Sequence, residues 1–428
     1  MSEDYHQMWA DLGLDLASHD ALLGFLGQAY KDIFMSQKNR PVGMQYFDFV
    51  MSEVHGLRVR ELLDAKKEGR KIIGSFCVFV PEELILAVNG VSVGVCVGAE
   101  FAFEEAEKYL PRNTCALIKA IFGFKLGKVC PYMEAADLLV GENTCDGKKK
   151  SYEIFDTLVD KLYIMDLPQT KSDAGKVLLK SEYVKFIKKL EEVSGNTIDV
   201  ASLKKGIEIT NNKRKALHRL ASLRNADPAP ISGLDALLIN QVSFYDNPVR
   251  FTQSVNAICD ELEIRISKDN GVFKKNAPRL LLSGCPMAVP NWKVPFLIEN
   301  AGAVVVGEES CVGERGSRNL TGIAGNTVND LLDYIVERYF QIDCAVFTPN
   351  KTRLDHVRQM AKDYKADGVI HYSLQFCQPY QIESGMIEKA LEAENMPVLR
   401  IDTDYSQEDM GQIRTRIEAF IERISDKQ

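Results

Sequence analysis

Ten cysteines and six histidines are the residues here with the most chemical potential, and their spacing separates them. The histidines (His6, His19, His55, His218, His356 and His371) show no HExxH or related ligand spacing, so any metal bound by this chain is held by sulfur. No CxxC pair occurs, which excludes zinc ribbons and thioredoxin-like motifs at the level of pattern. Cys145 stands in "GENTCDGKKK", between a strand-like "EAADLLVG" and a helix-like "SYEIFDTLVDKL". A thiol in a strand-to-helix turn faces backbone N–H groups. Lysines in a first helical turn oppose the helix macrodipole, so helix propensity does not account for Lys148, Lys149 and Lys150.

Cys115, Cys130 and Cys145 fall at intervals of 15 residues, and Cys311, Cys344 and Cys377 at intervals of 33. Cys145, Cys311, Cys377 and also Cys285 lie at or just past the ends of strand-like segments, where ligands bind in doubly wound sheets. Cys77 and Cys96 are flanked by apolar strand residues, and Cys259 lies in a helical stretch. These three read as plainly buried thiols. Six thiolates without histidine suit iron–sulfur chemistry better than zinc. Cations near such an anionic group would stabilise its reduced state, which gives the three lysines a role.

The elements that must position these thiols alternate. "KIIGSFCVFV", "VSVGVCVGA", "ADLLVGENT" and "KLYIMDLP" read as strands, with "PEELILAVNG" a helix between the first two. "PRLLLSGCP", "AGAVVVGEESC", "ADGVIHYSLQFC" and "MPVLRIDTDYS" repeat the plan. The expected fold is α/β, with two Rossmann-like parallel-sheet lobes facing a shared cleft. A helical N-terminal arm (1–65) precedes lobe 1 (66–170), and a helical connecting segment (171–275) precedes lobe 2 (276–428).

Other patterns exclude more than they assign. A net charge of −8 and the lack of a basic, aromatic-interleaved stripe argue against a nucleic-acid partner. The acidic, interrupted start is unlike a signal peptide and no apolar run reaches the length of a membrane span, so a cytoplasmic protein without a membrane partner is expected. "GFKLGKV" (123–129) is one residue short of a phosphate loop and lacks its Ser or Thr, so electrons of low potential would need an outside source. "GERGSRNLTG" (313–322) reads as a mobile polar loop, and Glu100 and Glu142 read as solvated.

The segments "PEELILAVNG", "TCDGKKK", "ADGVIHYSLQFCQPY" and "IDTDYSQEDMGQIRTRIEAF" resemble the 2-hydroxyacyl-CoA dehydratase / benzoyl-CoA reductase superfamily over roughly residues 66–425. The resemblance implies a cluster between paired lobes, a small-molecule substrate, and electrons from a separate ATP-hydrolysing iron–sulfur reductase. By motif, a dehydratase-type 4Fe-4S cluster would use Cys115, Cys145 and Cys377. The further thiols Cys130, Cys311 and Cys344 make the chain look like the double-cubane cluster proteins, similar homodimers that hold an 8Fe-9S unit on six cysteines. Which of Cys130, Cys285 and Cys344 completes the six stays open. The resemblance thus implies a low-potential reductase, with a dehydratase subunit or a non-catalytic electron carrier as alternatives.

Overall fold

The computed structural model describes residues 4–426; residues 1–3 of the expected arm and 427–428 of the expected second lobe lie outside the described residues. Among the described residues, eight strands form two four-stranded sheets, and every pairing is parallel. The first holds β1 (Ile72–Ser75), β2 (Val91–Gly94), β3 (Leu138–Asn143) and β4 (Leu162–Asp166) in the order β2-β1-β3-β4. The second holds β5 (Arg279–Gly284), β6 (Val304–Glu309), β7 (Gly368–Leu374) and β8 (Val398–Thr403) in the order β6-β5-β7-β8. The two sheets share one topology, as the alternating pattern predicts.

Burial explains why these runs are strands. β5, β6 and β7 are buried at every position, since helices cover both faces of a parallel sheet, and their sequences are correspondingly continuous in apolar residues. The edge strands β4 and β8 carry exposed positions and read less cleanly. Strand order reverses beside β1 in the first sheet and beside β5 in the second. These switch points leave crevices beyond the carboxyl ends of β1 and β3, and of β5 and β7.

The strands in the first lobe are shorter than the apolar runs containing them. β1 stops at Ser75 and β2 at Gly94, although "FCVFV" and "VCVGA" continue apolar. Past these strand ends Cys77 and Cys96 line the cleft between the lobes, while Phe76 packs on Tyr152 and Phe155 of helix Asp146–Phe155.

Helices Asp173–Ser194, Val200–Leu223, Gly233–Val242 and Pro248–Ser267 connect the lobes. Ser172 caps the first by accepting from the Gly175 N–H at 3.2 Å, and Gly195, at φ 72°, ends it. Asp199 and Ser202 close a capping box on the second. The N-terminal helices pack back on the second lobe, with Phe34 edge-on to Trp292 at 5.0 Å between ring centroids. Where the lobes meet, Gly98 donates its N–H to the Val289 carbonyl at 2.9 Å; a Cβ at Gly98 would stand 2.1 Å from the Ala288 oxygen. Only glycine permits that approach. No helix of the described residues is long and apolar enough to cross a membrane.

Candidate functional site

A cavity of about 120 Å³ lies between the lobes at the carboxyl ends of both sheets, and eight of the ten cysteines line it: Cys77, Cys96, Cys115, Cys145, Cys285, Cys311, Cys344 and Cys377. Six of these follow directly on strands. Cys77, Cys96 and Cys145 come after β1, β2 and β3, and Cys285, Cys311 and Cys377 after β5, β6 and β7. Cys115 starts helix Ala116–Leu126, and Cys344 follows helix Val328–Phe340. Every cysteine is a free thiol.

Five of the six expected ligands thus meet at one wall, together with the reserve Cys285. Cys130 does not. It is buried in the core at the start of the short helix Pro131–Ala135, which leads into the amino end of β3, away from the strand ends that build the cavity. The reading of Cys77 and Cys96 as strand-interior thiols also needs correction. Both lie past their strands and face the cleft, because β1 and β2 end earlier than their apolar runs suggest. The strand-end rule would have found them had the strand ends been visible. Cys259 is fully buried within Pro248–Ser267, as expected.

The thiols fall into two groups. Cys115 and Cys377 are interacting neighbours, Cys115 acts electrostatically on Cys145, and Cys145 acts on Cys377. Cys311 and Cys344 both act on Cys77, and Cys311 acts on Cys344. Cys285 lies next to Cys377 on the same wall and accepts the Leu374 N–H at 3.3 Å. Burial and the neighbouring thiols push Cys77 up to about 12 and Cys96 up to about 11, with Lys148 pulling both downward.

Three helices begin on the first group. Cys115, Cys145 and Cys377 are the N-cap residues of Ala116–Leu126, Asp146–Phe155 and Gln378–Glu392. Their orphan N–H groups and the positive ends of their dipoles favour negative charge at those sulfurs. The second group has side-chain cations instead. Arg315 donates to Cys311 Sγ at 3.5 Å, and its guanidinium is fully buried against Glu309 at 2.8 Å. Arg353 bridges to Glu309 at 3.2 Å and also pairs with Glu383. The segment 313–322 is therefore not a free polar loop. Its Arg315 is anchored in the second lobe, because Glu309 at the end of β6 needs a buried counter-charge.

The lysines after Cys145 divide. Lys148 is buried on the cavity wall and donates to Glu142, while Lys149 and Lys150 are exposed and Lys150 pairs with Glu153 at 2.6 Å. Glu142 is fully buried, contrary to the solvated reading, and its second oxygen has no hydrogen-bond partner among the described residues. Glu100 is exposed as expected. The phosphate-loop lookalike is the end of helix Ala116–Leu126 and the residues just after it.

Among the described residues, no three His, Cys, Asp or Glu side chains converge closely enough to hold a single metal ion. The thiols surround a volume, and soft sulfur donors lining an apolar cavity fit a polynuclear iron–sulfur group.

Comparison with known proteins agrees with this architecture. Residues 77–424 match the family described as 2-hydroxyglutaryl-CoA dehydratase, D-component. The chain is 36% identical over 370 residues to the proposed dehydratase subunit YjiM of Escherichia coli K12, covering 85% of this chain and 94% of that one. It is 28% identical to the (R)-phenyllactyl-CoA dehydratase beta subunit of Clostridium sporogenes (84% and 93% covered) and 22% identical to a benzoyl-CoA reductase subunit of Thauera aromatica (83% and 91% covered). The paired parallel lobes, the thiol-lined cleft between them and these matches over most of the chain lead to one conclusion: the protein belongs to the 2-hydroxyglutaryl-CoA dehydratase D-component family, within the 2-hydroxyacyl-CoA dehydratase / benzoyl-CoA reductase superfamily.

Proposed function

We propose that this chain is an iron–sulfur reductase that holds a double-cubane cluster on two sets of three thiols. Cys115, Cys145 and Cys377 would hold one half, and Cys77, Cys311 and Cys344 the other. The observation that carries the reading is the second set, which a single 4Fe-4S cluster would not use. Cys77 stands where the sequence reading put Cys130, which is off the cavity wall, and Cys344 keeps its place. Cys285, next to Cys377, already accepts a backbone N–H and stays in reserve. When bound, such a cluster supplies electrons at low potential to a small molecule.

The chain's own residues set the conditions for that chemistry. The three helix N-termini offset negative charge on the first set, while Lys148 does so at Cys77 and Arg315 at Cys311. Phe244, Val289 and Leu374 exclude bulk water from the wall, which strengthens every electrostatic interaction within it. Electrons would come from a separate ATP-hydrolysing iron–sulfur protein, since residues 123–129 do not form a phosphate loop.

The family supports a second reading, a dehydratase subunit with one 4Fe-4S cluster on Cys115, Cys145 and Cys377. The names of the relatives favour it. Anaerobic iron and acid-labile sulfide analysis separates the two. The double cubane requires about eight irons and nine sulfides per chain, against about four of each for the single cluster. A yield of four irons would end the first reading.

A further inference from the structure

A second cavity of about 90 Å³ adjoins the thiol cavity and shares with it a wall containing Ser75, Gly94, Cys77 and Cys311. Its character is different. Lys213, Arg214 and Arg338 line it, with Asn240, Ser243 and the Tyr339 ring among the remaining wall residues. Lys213 pairs with Glu82, and Arg214 pairs with the fully buried Glu83 at 2.7 Å. Arg338 is buried, yet among the described residues no carboxylate lies within ion-pair distance of it. Its guanidinium donates only to backbone, to the carbonyls of Asn319 at 3.2 Å and of Gly316. Three cations against two carboxylates leave one positive charge in excess.

A surface groove of about 550 Å³ meets this chamber at Glu82 and Ser92, which line both. Groove, chamber and thiol cavity are therefore adjacent in series. An apolar cavity of about 150 Å³ holds benzene, so the chamber accepts only a few non-hydrogen atoms.

We propose that this chamber admits a small monoanion from the groove, past the Glu82–Lys213 pair, to the Cys77 and Cys311 face of the thiol cavity, with Arg338 as its counter-charge. The proposal rests on the cluster reading above, since it makes that face the reacting one. It names the substrate class as a small anion, not a bulky acyl group.

The probes are iodoacetate and iodoacetamide, near-equal in size and different in charge. In each case the thiolate forms a sulfur–carbon bond and expels iodide, so the ratio of the two rates at one thiol cancels its reactivity and reports access by charge. Labelling of the full, iron-free chain under anaerobic conditions is followed by peptide mass spectrometry. The iodoacetate-to-iodoacetamide ratio at Cys77 and Cys311 is expected to exceed that of N-acetylcysteine by about tenfold. Arg338→Gln should remove most of that excess, Arg338→Lys should keep it, and Ser92→Trp should slow both reagents alike. A ratio equal to that of N-acetylcysteine overturns the proposal. So does an excess unchanged in a folded Arg338→Gln chain, or labelling untouched by Ser92→Trp. Iron analysis of the wild-type protein is independent: four irons with the expected ratios would remove the double cubane and leave the anion chamber standing.

Discussion

Replacing Glu309 with Gln tests the buried charge cluster behind Cys311. Glu309 is fully buried at the end of β6, accepts from Ser283 Oγ at 2.8 Å, and meets Arg315 at 2.8 Å and Arg353 at 3.2 Å. Burial alone would raise its pKa, but the two guanidiniums win and hold it down at about 2. Against an unfolded value of about 4.3, that depression corresponds to about 3 kcal/mol of stability. Breaking a buried ion pair by removing one partner costs about 3–5 kcal/mol, so the two routes agree. Arg353 keeps Glu383, whereas Arg315 loses the only carboxylate it pairs with among the described residues. At about 2.1 cal/mol/K per residue the whole chain unfolds with about 0.9 kcal/mol/K, so Glu309→Gln should lower Tm by about 4 °C at pH 7. Because the folded pKa is depressed, the contribution is present in full above the unfolded value and is lost as pH falls from about 4.3 through about 2. Calorimetry on the iron-free chain from pH 7 to pH 3 should show wild type and variant converging in acid. A Tm drop below about 1 °C, or a gap that does not change with pH, would refute the reasoning.

Three further outcomes are expected. Cys77→Ala should lose about half of the bound iron, while Cys130→Ala and Cys259→Ser keep it all; equal loss from Cys77→Ala and Cys130→Ala would break the partition of thiols. Lys148→Met should cost about 3 kcal/mol by leaving Glu142 buried and unpaired, and Glu142→Gln in the same chain should recover most of it; in denaturant titrations, additive effects of the two substitutions would argue against the pair. The isolated chain should hydrolyse no ATP, and phosphate release by the pure protein would contradict the need for a separate electron donor.

The sheets were legible because parallel strands buried on both faces leave continuous apolar runs, and all eight appear where those runs stand. Their ends were not legible in the first lobe. "SFCVFV" and "VCVGA" look like more strand, yet the chain leaves the sheet after Ser75 and after Gly94, and this hid Cys77 and Cys96. Cys145, Cys311 and Cys377 were found because a helix or polar turn signals the strand end before each. Equal spacing was a poorer guide, since it placed Cys130 with Cys115 and Cys145 although Cys130 stands off the wall. Buried charge was the least visible layer. Glu142 with Lys148, and Glu309 with Arg315, pair across a strand and the helix that follows it. Nothing local distinguishes them from solvated polar residues.

That the thiol wall is shared between lobes also has a consequence for how the protein is made. Cys77, Cys96, Cys115 and Cys145 leave the ribosome with the first lobe, whereas Cys377 follows Cys145 by 232 residues. At ordinary synthesis rates that interval is on the order of ten to fifty seconds. During it the nascent first lobe carries four thiols on a face whose other half does not yet exist. Insertion of the proposed cluster would therefore come after translation of the second lobe, and the newborn chain has to keep those four sulfurs reduced until the wall can close.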